Sequence, residues 1–131
     1  MLLQFSVTNH RSIKNTAVIS MKAAADKSMK ECLITPDGKK KIVPVMAIYG
    51  ANAAGKSNVI HALLLMREMV CGNYAKPLKG EELPYEPFAF VDEQIEPTAL
   101  EVIYYYEGIK YAYGFSFNNE RIISEYLYHW P

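Results

Sequence analysis

Eight consecutive residues, Gly50-Ala51-Asn52-Ala53-Ala54-Gly55-Lys56-Ser57, spell GxxxxGK[ST] and constrain the local fold more tightly than any other feature of the chain. The pattern requires a strand before it and a helix after it, and both are written in its flanks. Ile42-Val43-Pro44-Val45-Met46-Ala47-Ile48-Tyr49 is a continuous apolar run, which predicts a strand buried on both faces with Pro44 tolerated near its start. From Lys56 to Cys71 the apolar period changes to helical, with Val59, Leu63, Met66 and Val70 on one stripe, Ile60 and Leu64 beside it, and Gly72 as the stop. At about 1.5 Å per residue such a helix is roughly 24 Å long, enough to cover one sheet face. At average residue frequencies a chance match has a probability of roughly half a percent, so strand, loop and helix are read as one unit.

The residue types at these positions suit a polyanion. Gly50 and Gly55 let the backbone turn tightly and approach phosphates without a Cβ in the way, so that successive N–H groups point inward. The helix that begins at Lys56 adds the partial positive charge of its N-terminus. Lys56 is expected to reach the β- and γ-phosphates, and the Ser57 hydroxyl to ligate a bridging Mg²⁺. The expected nucleotide contacts are therefore Gly50, Ala51, Asn52, Ala53, Ala54, Gly55, Lys56, Ser57 and Asn58, with Arg11 as a weaker candidate.

The rest of the chain predicts an antiparallel layer. Leu3, Phe5 and Val7 alternate on one face of a first strand, and Ala17, Ile19 and Met21 on one face of a second, joined by the polar stretch from Thr8 to Asn15. Leu100, Val102, Tyr104 and Tyr106 alternate in a third, Tyr111, Tyr113, Phe115 and Phe117 in a fourth, and Ile122 to His129 form a fifth. Glu107-Gly108 and Asn118-Asn119 mark the turns. Pro36-Asp37-Gly38 predicts a turn within a lysine-rich loop, and residues 73–97, which hold four of the seven prolines, predict an extended connection. Aromatic residues at strand spacing are read as core before they are read as a base-stacking platform.

Composition removes several function classes. The 14 basic and 14 acidic residues cancel, which excludes a uniformly basic nucleic-acid coat. Lysines 22, 27, 30, 39, 40 and 41, and the acidic stretch 81–107, are read first as solvated faces. Cys32 and Cys71 are far apart and lack metal-ligand spacing, so neither zinc nor a disulfide framework is supported. His10, His61 and His129 show no ligand spacing and are read as surface or capping residues. No signal region or membrane span is visible, and the expected location is cytoplasmic.

At residues 49–58, Tyr-Gly-Ala-Asn-Ala-Ala-Gly-Lys-Ser-Asn resembles the GxNxxGKSN loop of ABC-type ATPases of the SMC, RecF and OLD kind. It is most similar to the AAA-labelled, OLD-like ATPases of abortive infection and anti-phage defence. Phe5-Ser6-Val7-Thr8-Asn9-His10-Arg11-Ser12-Ile13-Lys14 is similar to the NFRSIK element that precedes the loop there, with His10 in place of an aromatic. The resemblance implies an α/β P-loop NTPase (ABC ATPase-like) N-terminal lobe: a central strand–P-loop–helix unit at 42–72, a hairpin at 1–21 and a β-meander at 98–129. It implies ATP and Mg²⁺ as cofactors, and a facing ATPase head as homodimer partner in a longer protein. A nuclease or toxin partner, or DNA, and a role in phage defence or DNA maintenance also follow from it.

The catalytic half of such an ATPase is not recognised in the sequence. After Lys56 the one apolar run that closes in Asp-Glu, Phe88-Ala89-Phe90-Val91-Asp92-Glu93, lies in the proline-rich connection rather than at the end of an expected strand that could supply a second Mg²⁺ carboxylate and a base, and no LSGGQ-like signature follows. Residues 1–131 are therefore expected to be one incomplete ATPase-head fragment that binds nucleotide and turns it over weakly or not at all, within a parent that hydrolyses ATP. Gln94 is not read as a Q-loop glutamine, given its place in the proline-rich connection. The competing expectation is a protein- or nucleic-acid-binding module whose P-loop is only structural. A nucleotide kinase or GTPase loses support for want of lid arginines and an NKxD motif.

Overall fold

Period-two alternation and turn chemistry account for the largest element of the structure, a five-stranded antiparallel sheet. The computed structural model describes residues 1–25, 29–52, 54–72, 80–90 and 96–131. Strands β1 (Leu2–Thr8), β2 (Ala17–Ser20), β3 (Thr98–Tyr106), β4 (Ile109–Phe117) and β5 (Ile122–Trp130) lie in the order β2-β1-β3-β4-β5. Register follows the patterning: Phe5 faces Ile19 on one side and Val102 on the other, and Val7 faces Ala17 and Leu100. Between β3 and β4 the two-residue loop Glu107-Gly108 has φ of 50° and 79°, the paired positive values of a hairpin turn whose twist matches its strands. Between β4 and β5 the Asn118 carboxamide accepts the backbone N–H groups of Glu120 and Arg121, each at 2.9 Å. The Asp37 carboxylate likewise accepts from Lys39 and Lys40 N–H and from the Tyr105 hydroxyl, which ties the lysine-rich loop to β3.

One helix, α1 (Lys56–Cys71), packs on the sheet. Ala62, Met66 and Met69 enter a core with Phe5, Val7, Leu100, Phe115 and Phe117. Burying each large side chain of this set contributes about 1.5–3 kcal/mol. The stripe is rotated from the expected one: Val59 and Leu63 pack at its margin, whereas Ile60, Leu64 and Val70 remain 44–48% exposed. The small Ala62 lets the helix backbone approach the sheet closely, and the ridge through 62, 66 and 69 takes the contact.

The apolar run 42–49 departs from expectation. Ile42 is fully buried and bridges Lys22 and Ile34, and Val43 donates to Met21 O, but from Pro44 to Gly50 the chain has no strand structure. Val45 is 78% and Tyr49 91% exposed. A strand buried on both faces needs neighbours on both edges to take its N–H and C=O groups. The described sheet offers only the outer edges of β2 and β5, and Pro44 has no N–H with which to extend the pairing of Ile42 and Val43. The structure is thus an antiparallel sheet with one helix, without a central parallel strand before the loop.

The outer sheet face is built around Gly114. A Cβ there would stand 2.5 Å from the hydroxyl and 2.6 Å from Cζ of Tyr126, whose ring crosses the glycine to donate its hydroxyl to Glu101. On the helix face Tyr113 donates to Glu125 at 2.7 Å. Of the seven tyrosines of the meander only Tyr105 is buried, and Tyr106 and Tyr128 are exposed, so core accounts for part of this aromatic set.

Burial first, and then the adjacent carboxylates, push the Tyr113 and Tyr126 phenols up to about 12. The folded state therefore holds these protons more tightly than the unfolded chain, where phenols titrate near 10. The stability they add is complete below about pH 10 and is lost as pH rises through 12. Urea midpoints should fall more steeply between pH 10 and 12 in the wild type than in the Tyr113→Phe/Tyr126→Phe variant; equal slopes would contradict this.

Candidate functional site

Gly55 starts α1 in the left-handed region, with φ +83°, and the helix has no side-chain cap and no acidic residue in its first turn. The first N–H groups of a helix have no acceptor within it. Among the described residues, Asn58 N finds one close by, Gly55 O at 3.0 Å. The partial positive charge of the helix end thus stands beside exposed Ser57 without a carboxylate to offset it. Gly55 has a second constraint, because a Cβ would meet Ser12 Oγ at 3.1 Å. Gly50 is freer than expected: a Cβ there would make only ordinary contacts, at 3.6 and 3.7 Å, with Lys56 and Ala54.

Lys56, half-buried, turns back over its own loop and donates from Nζ to Gly50 O at 2.7 Å and Ala51 O at 2.5 Å. Two carbonyls of the loop therefore face the ammonium, which ties the entry of the loop to its exit. Ala54 N is spent on Ala51 O at 3.3 Å. Ala51, Asn52 and Ala54 are exposed, and Ala53 lies outside the described residues, as does Gln94. The donors a ligand could meet here are thus the N–H groups of the helix end and the Ser57 hydroxyl, with the Lys56 ammonium joining them only on leaving the loop carbonyls, a set that fits a phosphate group. Among the described residues no group of three or more His, Cys, Asp or Glu could hold a metal ion. A magnesium ion here would rest on Ser57 and on the oxygens of the phosphates themselves.

The turn between β1 and β2 lies against this loop. Its fold is set by Asn9, 5% exposed at φ 52°, whose carboxamide donates to Glu96 O at 2.5 Å and accepts from Phe88 N at 2.9 Å. Thr98 Oγ1 donates to Asn9 O at 2.6 Å. His10 and Ile13 exchange backbone hydrogen bonds at 2.8 Å, and Ser12 at the tip accepts from Asn58 Nδ2 at 2.6 Å. Arg11 points elsewhere: its guanidinium pairs with Glu86 and its N–H donates to Glu86 O. It lines a cleft of about 210 Å³ on the flank of α1, with His61 and Leu64. A larger groove of about 580 Å³, between Met69, Val70, Tyr113 and Phe115, sits at the other end of α1 and includes no loop residue.

His10 corrects the surface reading. It is 2% exposed, and neither ring nitrogen has a partner among the described residues. Sequence reasoning also passed over Ser12 and Asn9, whose partners lie 46 to 89 positions away; the Ser12 and Asn58 side chains give no periodic signal.

A family model described as "AAA domain, putative AbiEii toxin, Type IV TA system" matches residues 45–131. No curated protein matches the chain significantly. The match supports a nucleotide-binding, ATPase-like P-loop module. Among the described residues no helix is long and apolar enough to cross a membrane.

Burial, then the Arg11 charge, hold the His10 imidazole below its ordinary pKa of 6.5, against a weaker pull from Glu86. The unfolded chain therefore takes up this proton first, so the stability is present above about pH 6.5 and is lost as pH falls. His10→Phe should flatten the loss of stability between pH 7 and 5 measured by urea unfolding. An unchanged slope would show that His10 does not titrate against the fold.

Proposed function

The chain belongs to the AAA-domain family whose model it matches over residues 45–131, and on that premise we propose that it binds ATP with Mg²⁺ at Gly50–Asn58. The carrying observation is the uncapped start of α1, entered through left-handed Gly55 and bearing Lys56 and Ser57 at its first two positions. In this reading the N–H groups at the helix start donate to phosphate oxygens, and Lys56 exchanges the loop carbonyls for the β- and γ-phosphates. The Ser57 hydroxyl would hold the magnesium ion, which would supply positive charge to offset that of the phosphates. Asn58 and the Ser12 turn support the exit of the loop.

The loop spelling at residues 49–58 supports the OLD-like branch, and the type IV toxin–antitoxin wording of the family description supports the proposed role in defence. Hydrolysis needs a second magnesium carboxylate and a base for water. After Lys56 the one apolar run closed by Asp-Glu, at 88–93, lies in the proline-rich connection, and no LSGGQ-like signature follows, so we assign binding rather than turnover to these residues, with a facing head as the partner that completes a nucleotide sandwich. Calorimetry of the chain with Mg-ATP should give one site, and Lys56→Ala should weaken it at least tenfold, about 1.4 kcal/mol. Equal binding by both proteins, or none by the wild type, would overturn the reading.

One observation favours a nucleic-acid surface as a second reading. Along β5 the rings of Tyr126, Tyr128 and Trp130 follow at 5.2 and 6.5 Å, and Lys110 Nζ stands 4.1 Å from the Trp130 ring centroid. Exposed aromatic steps beside a cation are the elements of a base-stacking platform. Trp130 is the sole tryptophan, so titration with a short single-stranded oligonucleotide should quench its emission in this reading and leave it unchanged otherwise.

A further inference from the structure

We propose that Ser12 is a positioning residue for the phosphate loop: its hydrogen bond with Asn58 fixes the first turn of α1 against the β1–β2 turn. The inference rests on the phosphate reading above and deepens it.

Ser12 touches the loop exit twice. Its Oγ accepts from Asn58 Nδ2 at 2.6 Å, and it stands 3.1 Å from where a Cβ of Gly55 would be. Gly55 is the last residue before α1 and Asn58 its third, so the hydroxyl spans the backbone N–H groups of Lys56 and Ser57. A side chain can hold other groups in place only if its own backbone is held. That of Ser12 lies between the mutually bonded His10 and Ile13, and Arg11 N donates to Glu86 O at 2.8 Å. Asn9 then anchors the turn in the protein through Glu96, Phe88 and Thr98.

A rigid support for the donors matters because misaligned N–H groups lose most of their attraction for an anion, and hydrogen-bond strength falls steeply away from linearity. Ser12 lies on the β1–β2 turn, outside the loop, and is not among the proposed ligands of the phosphates. Its effect passes through Asn58 and Gly55.

The test uses the 131-residue chain and two readouts. Mg-ATP affinity by calorimetry should fall about three- to tenfold in Ser12→Ala and by a similar factor in Asn58→Ala, with little further loss in the double variant, because the two residues share one bond. Ser12→Thr, which keeps the hydroxyl, should restore affinity. Without nucleotide, amide hydrogen exchange at residues 56–59 should quicken in Ser12→Ala while the urea midpoint of the whole chain stays put, a local effect that a merely stabilising residue would not give. Additive losses, no rescue by threonine, or unchanged affinity and exchange would overturn the proposal. If the wild type fails to bind Mg-ATP, the phosphate reading falls and the positioning role with it, while hydrogen exchange still reports whether Ser12 clamps the loop.

Discussion

A helix that begins at a left-handed glycine, with no side chain to accept its first N–H groups, presents unmet donors and a partial positive charge at one point of the surface. In this chain that point is the start of α1. Everything needed to hold it there comes from elsewhere: Met66 and Met69 anchor the helix in the core of the sheet, and Ser12 meets the loop from the β1–β2 turn. Lys56 and Ser57 then sit at the charged end as a consequence of position. Electrostatics supplies the attraction for an anion, and packing supplies the aim.

The family match begins at residue 45, after the β1–β2 hairpin. Contacts nonetheless join the hairpin to the matched region at every level. Phe5 and Val7 lie in the core with Phe115 and Phe117, β1 pairs with β3, and the turn at 9–13 abuts the loop. The N-terminal residues behave as part of the same unit as the loop, and the hydrogen bond between Ser12 and Asn58 is the joint between them.

Local signals were legible in the sequence and non-local ones were not. Alternation in Leu3-Phe5-Val7 and in Tyr111 to Phe117 reports a face, and a face is enough to specify a strand of an antiparallel sheet. The helix from Lys56 to Cys71 was legible for the same reason, including its glycine boundaries. The run 42–49 was misread because continuous apolarity reports only that a segment needs cover; whether it becomes a strand depends on partners whose pairing no local pattern reveals. His10 was misplaced, and the Glu86 partner of Arg11 was not foreseen, because the burial of one and the ion pair of the other are set by segments some 50 to 75 positions away. At the loop, spelling gave the residue types, whereas the return of Lys56 to Gly50 O and Ala51 O is a matter of geometry alone.

The central claim is that the backbone N–H groups at the start of α1 are the anion site. Amide chemical shifts of the isotope-labelled chain, followed during titration with Mg-ATP, test it most directly. The account predicts that the largest changes fall on Gly55, Lys56 and Ser57, with smaller ones at Ser12 and none along β5. Changes centred on Tyr128 and Trp130, with the loop amides unmoved, would contradict it.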